Sequence, residues 1–196
     1  MTLDEKRLKQ VEYRIKNYIS EGVIKSKQPV KHVEFFLTNA EDSFKSAKAL
    51  YGLSTNKEYQ EHTGNQGLKG YLWVINASYY SMFYMARALL AAKGIILRSD
   101  LSVHSVTFDA LVYFFYLTGK LDKHFFEYYA ESQEEAAELL GKRKADELIE
   151  EYFFEKDKRA RFTYQIEQFA MQNKAKTSLD RAARFNREIR KMINAL

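Results

Sequence analysis

Asn76, Tyr80, Tyr84 and Arg87 recur at spacings of four, four and three, which puts them on one face of a helix. On such a face a guanidinium can hold a phosphate through its paired N–H donors while a phenol ring stacks on a base, so the stripe is a candidate nucleotide or RNA contact. The same residues also suit an internal polar network joining helices, because polar groups inside a bundle have to be hydrogen-bonded. A second stripe is purely cationic. Arg181, Arg184, Arg187 and Lys191 share one side of the last helix, apart from its apolar stripe of Phe185, Ile189, Met192 and Leu196. It is the densest positive face of the chain and could contact phosphates; as an alternative, it offsets an acidic run elsewhere in the bundle.

Other chemistries find no support. His32, His62 and His124 sit in different segments, none with a second ligand at helical spacing, so no metal site is expected. The absence of Cys removes disulfides, thiolate ligands and cysteine nucleophiles and agrees with a cytoplasmic setting. Neither a phosphate-cradling glycine loop nor a nucleophile elbow is present, and no cofactor is implied. The charged start MTLDEKRLKQ does not resemble a signal peptide. No run of about 18 apolar residues predicts a membrane span.

The 196 residues carry a formal charge of +5, which permits an anionic partner without resembling a nucleic-acid-binding tail. The charge is unevenly spread. Residues 131–151 hold eight acids against three bases, and residues 156–196 hold eleven bases against four acids.

These residues must be positioned by helices, since one proline and eight glycines leave few interruptions and apolar residues recur at three and four. Helices are predicted at about 4–20, from Pro29 to about 53, at 68–93, 103–117, and 123–154 with a break near Gly141. Two more are predicted at 160–173 and 178–195, separated by NKAKTS with Thr177 or Ser178 as cap. The stretch 54–67 reads as the longest loop. VYFFYLTG and EYFFEK are aromatic and short enough for strands, but neither alternates and each adjoins a helical pattern.

The segment from Asn76 to Ile95, with paired aromatics before Ala-Arg-Ala-Leu-Leu and a Lys-Gly-Ile end, resembles the long core helix of prokaryotic HEPN-domain proteins. Val103-His104-Ser105, Thr118-Gly-Lys-Leu-Asp122, Arg159-Ala-Arg-Phe-Thr-Tyr164 and the ending from Ala183 to Ile189 resemble that family's later elements in the same order. The resemblance covers roughly residues 30–196. It implies an all-α, antiparallel up-and-down bundle over 29–196, with 1–28 an added helical extension.

It also implies a homodimer in the cytoplasm that binds RNA or a nucleotide, in a toxin–antitoxin-like pair with a nucleotidyltransferase-like protein. Arg159, Arg161 and Tyr164 would join Arg87 beside the core helix. Many members are metal-independent ribonucleases in which a His moves protons at the ribose 2′-hydroxyl or the leaving oxygen while an Arg stabilises the phosphate. Where that Arg and His are expected, after Arg159 and Arg161, no His follows. Arg98 and His104 have the spacing but lie between the third and fourth helices, where His104 also suits a capping or packing role. A binding module is therefore the leading expectation, with an Arg98–His104 endoribonuclease and a protein-interaction scaffold as alternatives.

Overall fold

The computed structural model describes residues 4–98, 103–150 and 160–196, with side chains described outside 140–169. Seven α-helices lie among the described residues: α1 Glu5–Ser20, α2 Val33–Thr55, α3 Lys57–His62, α4 Tyr71–Ala92, α5 Val103–Leu111, α6 Lys123–Glu150 and α7 Ala160–Asn194. α5 continues into a π-helical turn, Val112–Tyr116, and a two-residue ribbon pairs β1, Ile24–Lys25, with β2, Ile96–Leu97, antiparallel.

The all-α expectation holds. Phe36 meets Arg87, Ala40 meets Ser81 and Ser54 meets Tyr71, so α2 and α4 run antiparallel. α7 runs parallel to α4, because Gln172 reaches Tyr71 and Asn186 reaches Ser81. α6 opposes α7, with Glu131 at Arg181 and Tyr129 at Phe185. The four long helices thus alternate in direction along the chain, the up-and-down order. α4 is the centre: Met82, Met85, Ala86, Leu89 and Leu90 are buried, and Phe115, Phe126, Tyr129 and Phe185 close on them. A second cluster of Ala47, Tyr71, Val74, Ile75 and Ala175 fills the other end.

α1 starts as capping chemistry requires, with the Asp4 carboxylate accepting from the Arg7 N–H at 2.8 Å. It belongs to the same core. Val11 and Ile15 are fully buried in it, and Asp109 on α5 accepts two bonds from Arg14 at 2.6 and 2.8 Å.

Several sequence expectations are corrected. α6 runs through Gly141 without a break: an interior glycine costs only about 1 kcal/mol relative to alanine, and EEAAELL before it with KRKADELIEE after it favour helix. α7 is likewise continuous through NKAKTS. Ala175 and Ser178 face inward there and are fully buried, so packing overrides the weak preference of Thr177 and Ser178 for a cap. Pro29 does not open α2, which begins at Val33. Before it, Gln28 donates its backbone N–H to Gly94 at 3.0 Å, and a Cβ at Gly94 would stand 2.5 Å from the Gln28 carbonyl oxygen. That close approach, with φ of +67° at Gly94, needs glycine and ties the segment to the end of α4. The supposed loop 54–67 contains α3, capped by Asn56 on the Tyr59 N–H at 3.0 Å. VYFFY is helical as expected, in a π-helical turn, and EYFFEK lies outside the described residues.

Candidate functional site

α4, α2 and α5 bring one cation and a set of rings to a common face. Arg87, half-buried on α4, lays its guanidinium over the Phe36 ring at 4.9 Å. No acceptor among the described residues bonds its N–H groups. Burial lowers its pKa, opposed by Tyr129 and Tyr84 nearby, so the site holds a cation that has lost hydration without gaining a carboxylate. An oxyanion would restore both.

His104, in the first turn of α5, packs its ring on Phe83 at 4.3 Å and edge-on to Tyr80 at 5.7 Å. Its Nδ1 lies 2.7 Å from the Tyr79 hydroxyl oxygen. Burial lowers the His104 pKa and the Arg87 charge lowers it further, so the ring is neutral at physiological pH. Burial also pushes the Tyr79 phenol far above its ordinary pKa, which keeps it protonated. The Tyr79 hydroxyl can donate to Nδ1 or accept from Nδ1–H, and both neutral tautomers of His104 fit this contact. Behind this pair the Tyr129 hydroxyl is fully buried, and desolvation first, with the neighbouring Tyr79 hydroxyl adding to it, holds it protonated.

The expected stripe on α4 is only partly assembled. Tyr80 is 40% exposed, its ring 6.2 Å from Tyr84, and both flank the Arg87 and His104 face. Asn76, one turn before Tyr80, is buried, donates Nδ2–H to the Leu72 carbonyl at 3.1 Å and leaves its Oδ1 unpartnered. The polar network that joins the helices uses other residues. Asn186 donates to Ser81 at 2.6 Å, and Ser81 donates to the Ala40 carbonyl at 2.6 Å, linking α7, α4 and α2.

Arg98 is exposed beyond β2, with its backbone N–H on the Val23 carbonyl at 2.9 Å; the cation bearing on His104 is Arg87. Arg159 lies outside the described residues, as do the side chains of Arg161 and Tyr164 in the first turns of α7.

The cationic stripe of α7 divides. Arg181 pairs with Glu131 at 2.7 Å and Glu135 at 3.5 Å, inside the acidic run of α6. Burial raises the Glu135 pKa more than Arg181 lowers it, so that second contact is a compromise. Lys191 pairs with Glu188 at 3.1 Å on its own helix. Arg184 and Arg187 remain exposed, with no ion pair among the described residues.

Two polar features were missed in the sequence. Asp109 stands alone in the apolar run VTFDALV, a pattern that signals a buried carboxylate needing a cation, and that cation is Arg14. Ser81 carried no signal, since a serine among aromatics is unremarked until its neighbours are known. Among the described residues no group of His, Asp and Glu could hold a metal, and no helix is long and apolar enough to cross a membrane. Comparison with protein-family models, curated proteins and solved structures finds no match to this chain.

Proposed function

We propose that this chain is a HEPN-type binding module that engages RNA or a nucleotide at the face formed by Arg87, Tyr80, Tyr84 and His104. The observation that carries the reading is Arg87: a half-buried guanidinium with rings around it and no acceptor among the described residues. A phosphate oxygen would take its N–H donors, and the partly exposed Tyr80 ring would stack on a base. A homodimer in the cytoplasm, paired with a nucleotidyltransferase-like protein, is the setting that the family resemblance supplies.

The packing of His104 favours binding over cleavage. Its Nδ1 is held by the Tyr79 hydroxyl and its ring packs on Phe83, which leaves only Nε2 to act on a ribose 2′-hydroxyl. The endoribonuclease alternative would need Nε2 to be the unprotonated nitrogen, and Arg87 in the place expected for Arg98.

Binding of a single-stranded RNA oligomer in chelator, followed against salt, tests the proposal. Arg87→Gln is expected to weaken binding and reduce the salt slope by about one unit. An unchanged slope sinks the Arg87 contact. Cleavage that survives chelation and disappears in His104→Ala would favour the nuclease.

A further inference from the structure

A groove of about 620 Å³ runs between the start of α6 and the middle of α7, away from the face just described. Its size suits a small molecule. One wall is aromatic: His124 and Phe125 have ring centroids 3.8 Å apart, and Tyr128 stands 5.6 Å from His124. The other wall is α7, from Asp180 through Ala183, Arg184 and Arg187 to Glu188.

The charges in this wall are not equivalent. The Asp180 carboxylate accepts from Lys176 at 2.6 Å and Glu188 accepts from Lys191 at 3.1 Å, both lysines lying on α7 outside the groove lining. Arg184 and Arg187 have no such partners among the described residues, although the acidic run of α6 is near enough to take Arg181. Four cations therefore stand against two carboxylates around the groove, and the two cations left over line it. One helical turn separates them, so both guanidiniums can approach a single tetrahedral oxyanion while a ring bonded to it lies along Phe125 and Tyr128.

We propose that this groove binds a phosphate monoester carrying a flat ring, with Arg184 and Arg187 on the phosphate and His124, Phe125 and Tyr128 against the ring. Guanidiniums fit a phosphate in pairs of N–H donors, and aromatic side chains favour a flat apolar face over an aliphatic one. The inference is independent of the α4 reading, since the two sites share no residue.

His124 supplies the reporter. In the full chain its imidazole Cε1–H resonance is followed by NMR as phenyl phosphate, adenosine monophosphate or inorganic phosphate is added. Phenyl phosphate is expected to shift the His124 signal saturably, about tenfold more tightly than inorganic phosphate, and adenosine monophosphate shows whether a nucleobase is accepted as the ring. Arg184→Gln with Arg187→Gln should weaken the response at least about tenfold; both side chains are exposed and have no ion pair among the described residues, so the fold should persist. Replacing both by Lys should recover only part of it, because the charge returns without the planar fork. The Arg87→Gln variant should respond like the parent. A silent His124 signal, an unchanged response in the double Gln variant, or equal affinity for inorganic phosphate would each overturn the proposal. A shift at His104 alone would do so while leaving the α4 site standing.

Discussion

Arg14 and Arg87 both leave their helices into half-buried surroundings, and among the described residues only Arg14 finds a carboxylate. Arg14 makes a two-pronged contact with Asp109, whose side chain is 4% exposed, and that hydrogen bond raises the Arg14 pKa. Arg87 lies on Phe36 and has its pKa lowered by burial. The first arrangement fixes α1 to α5 and commits the Nε and Nη2 donors to Asp109. The second contributes little to holding helices together and keeps its donors available. The same division runs along α7, where Arg181 is bound to α6 while Arg184 and Arg187 have no ion pair among the described residues.

The sharpest way to break this comparison is to remove each cation in turn. Arg14→Leu strands the buried Asp109 carboxylate and is expected to cost about 3–5 kcal/mol in urea unfolding. Arg87→Leu should leave stability within about 1 kcal/mol or raise it, because a desolvated unpaired cation is replaced by an apolar side chain. Equal losses would mean that Arg87 is as structural as Arg14.

Next in size is the polar link through α4. Ser81→Ala removes the acceptor for Asn186 and the donor to Ala40, and should lower stability by about 1–3 kcal/mol in the same unfolding measurement. A neutral result would move the helix-joining role elsewhere.

The pH dependence of stability sharpens the account of His104. Its folded pKa lies below the unfolded value, so between the two the unfolded chain binds more protons and stability rises with pH. Stability should therefore fall as pH drops below about 6.5, and His104→Phe should flatten that fall, as followed by melting temperature. An identical profile would show that the ring does not lose its charge on folding. Smallest of all, Arg184→Gln should change stability by no more than about 0.5 kcal/mol, whereas Arg181→Gln, which releases Glu131 and the half-buried Glu135, should lower it measurably by the same test.

Local pattern carried much of the fold. The apolar repeats of Val11 and Ile15, and of Met82, Ala86 and Leu89 before Gly94, marked α1 and α4 within a few residues, because each is decided by neighbours three and four positions away. It failed at Gly141 and at Thr177–Ser178, where a local stop signal was weaker than the helix around it or the packing of Ala175 against α2 and α4.

For the candidate sites, the sequence by itself determined which side chains could meet a phosphate: Arg87 with Tyr80 and Tyr84 on one helix, and the basic residues of another. Only the tertiary structure decided which of them are at liberty to do so. Arg14 and Asp109 are 95 positions apart and Arg181 and Glu135 are 46 apart, and no periodicity within a helix encodes such pairings. A charge's role depends on whether an opposite charge reaches it and how much water it keeps, and both are set by how the helices pack.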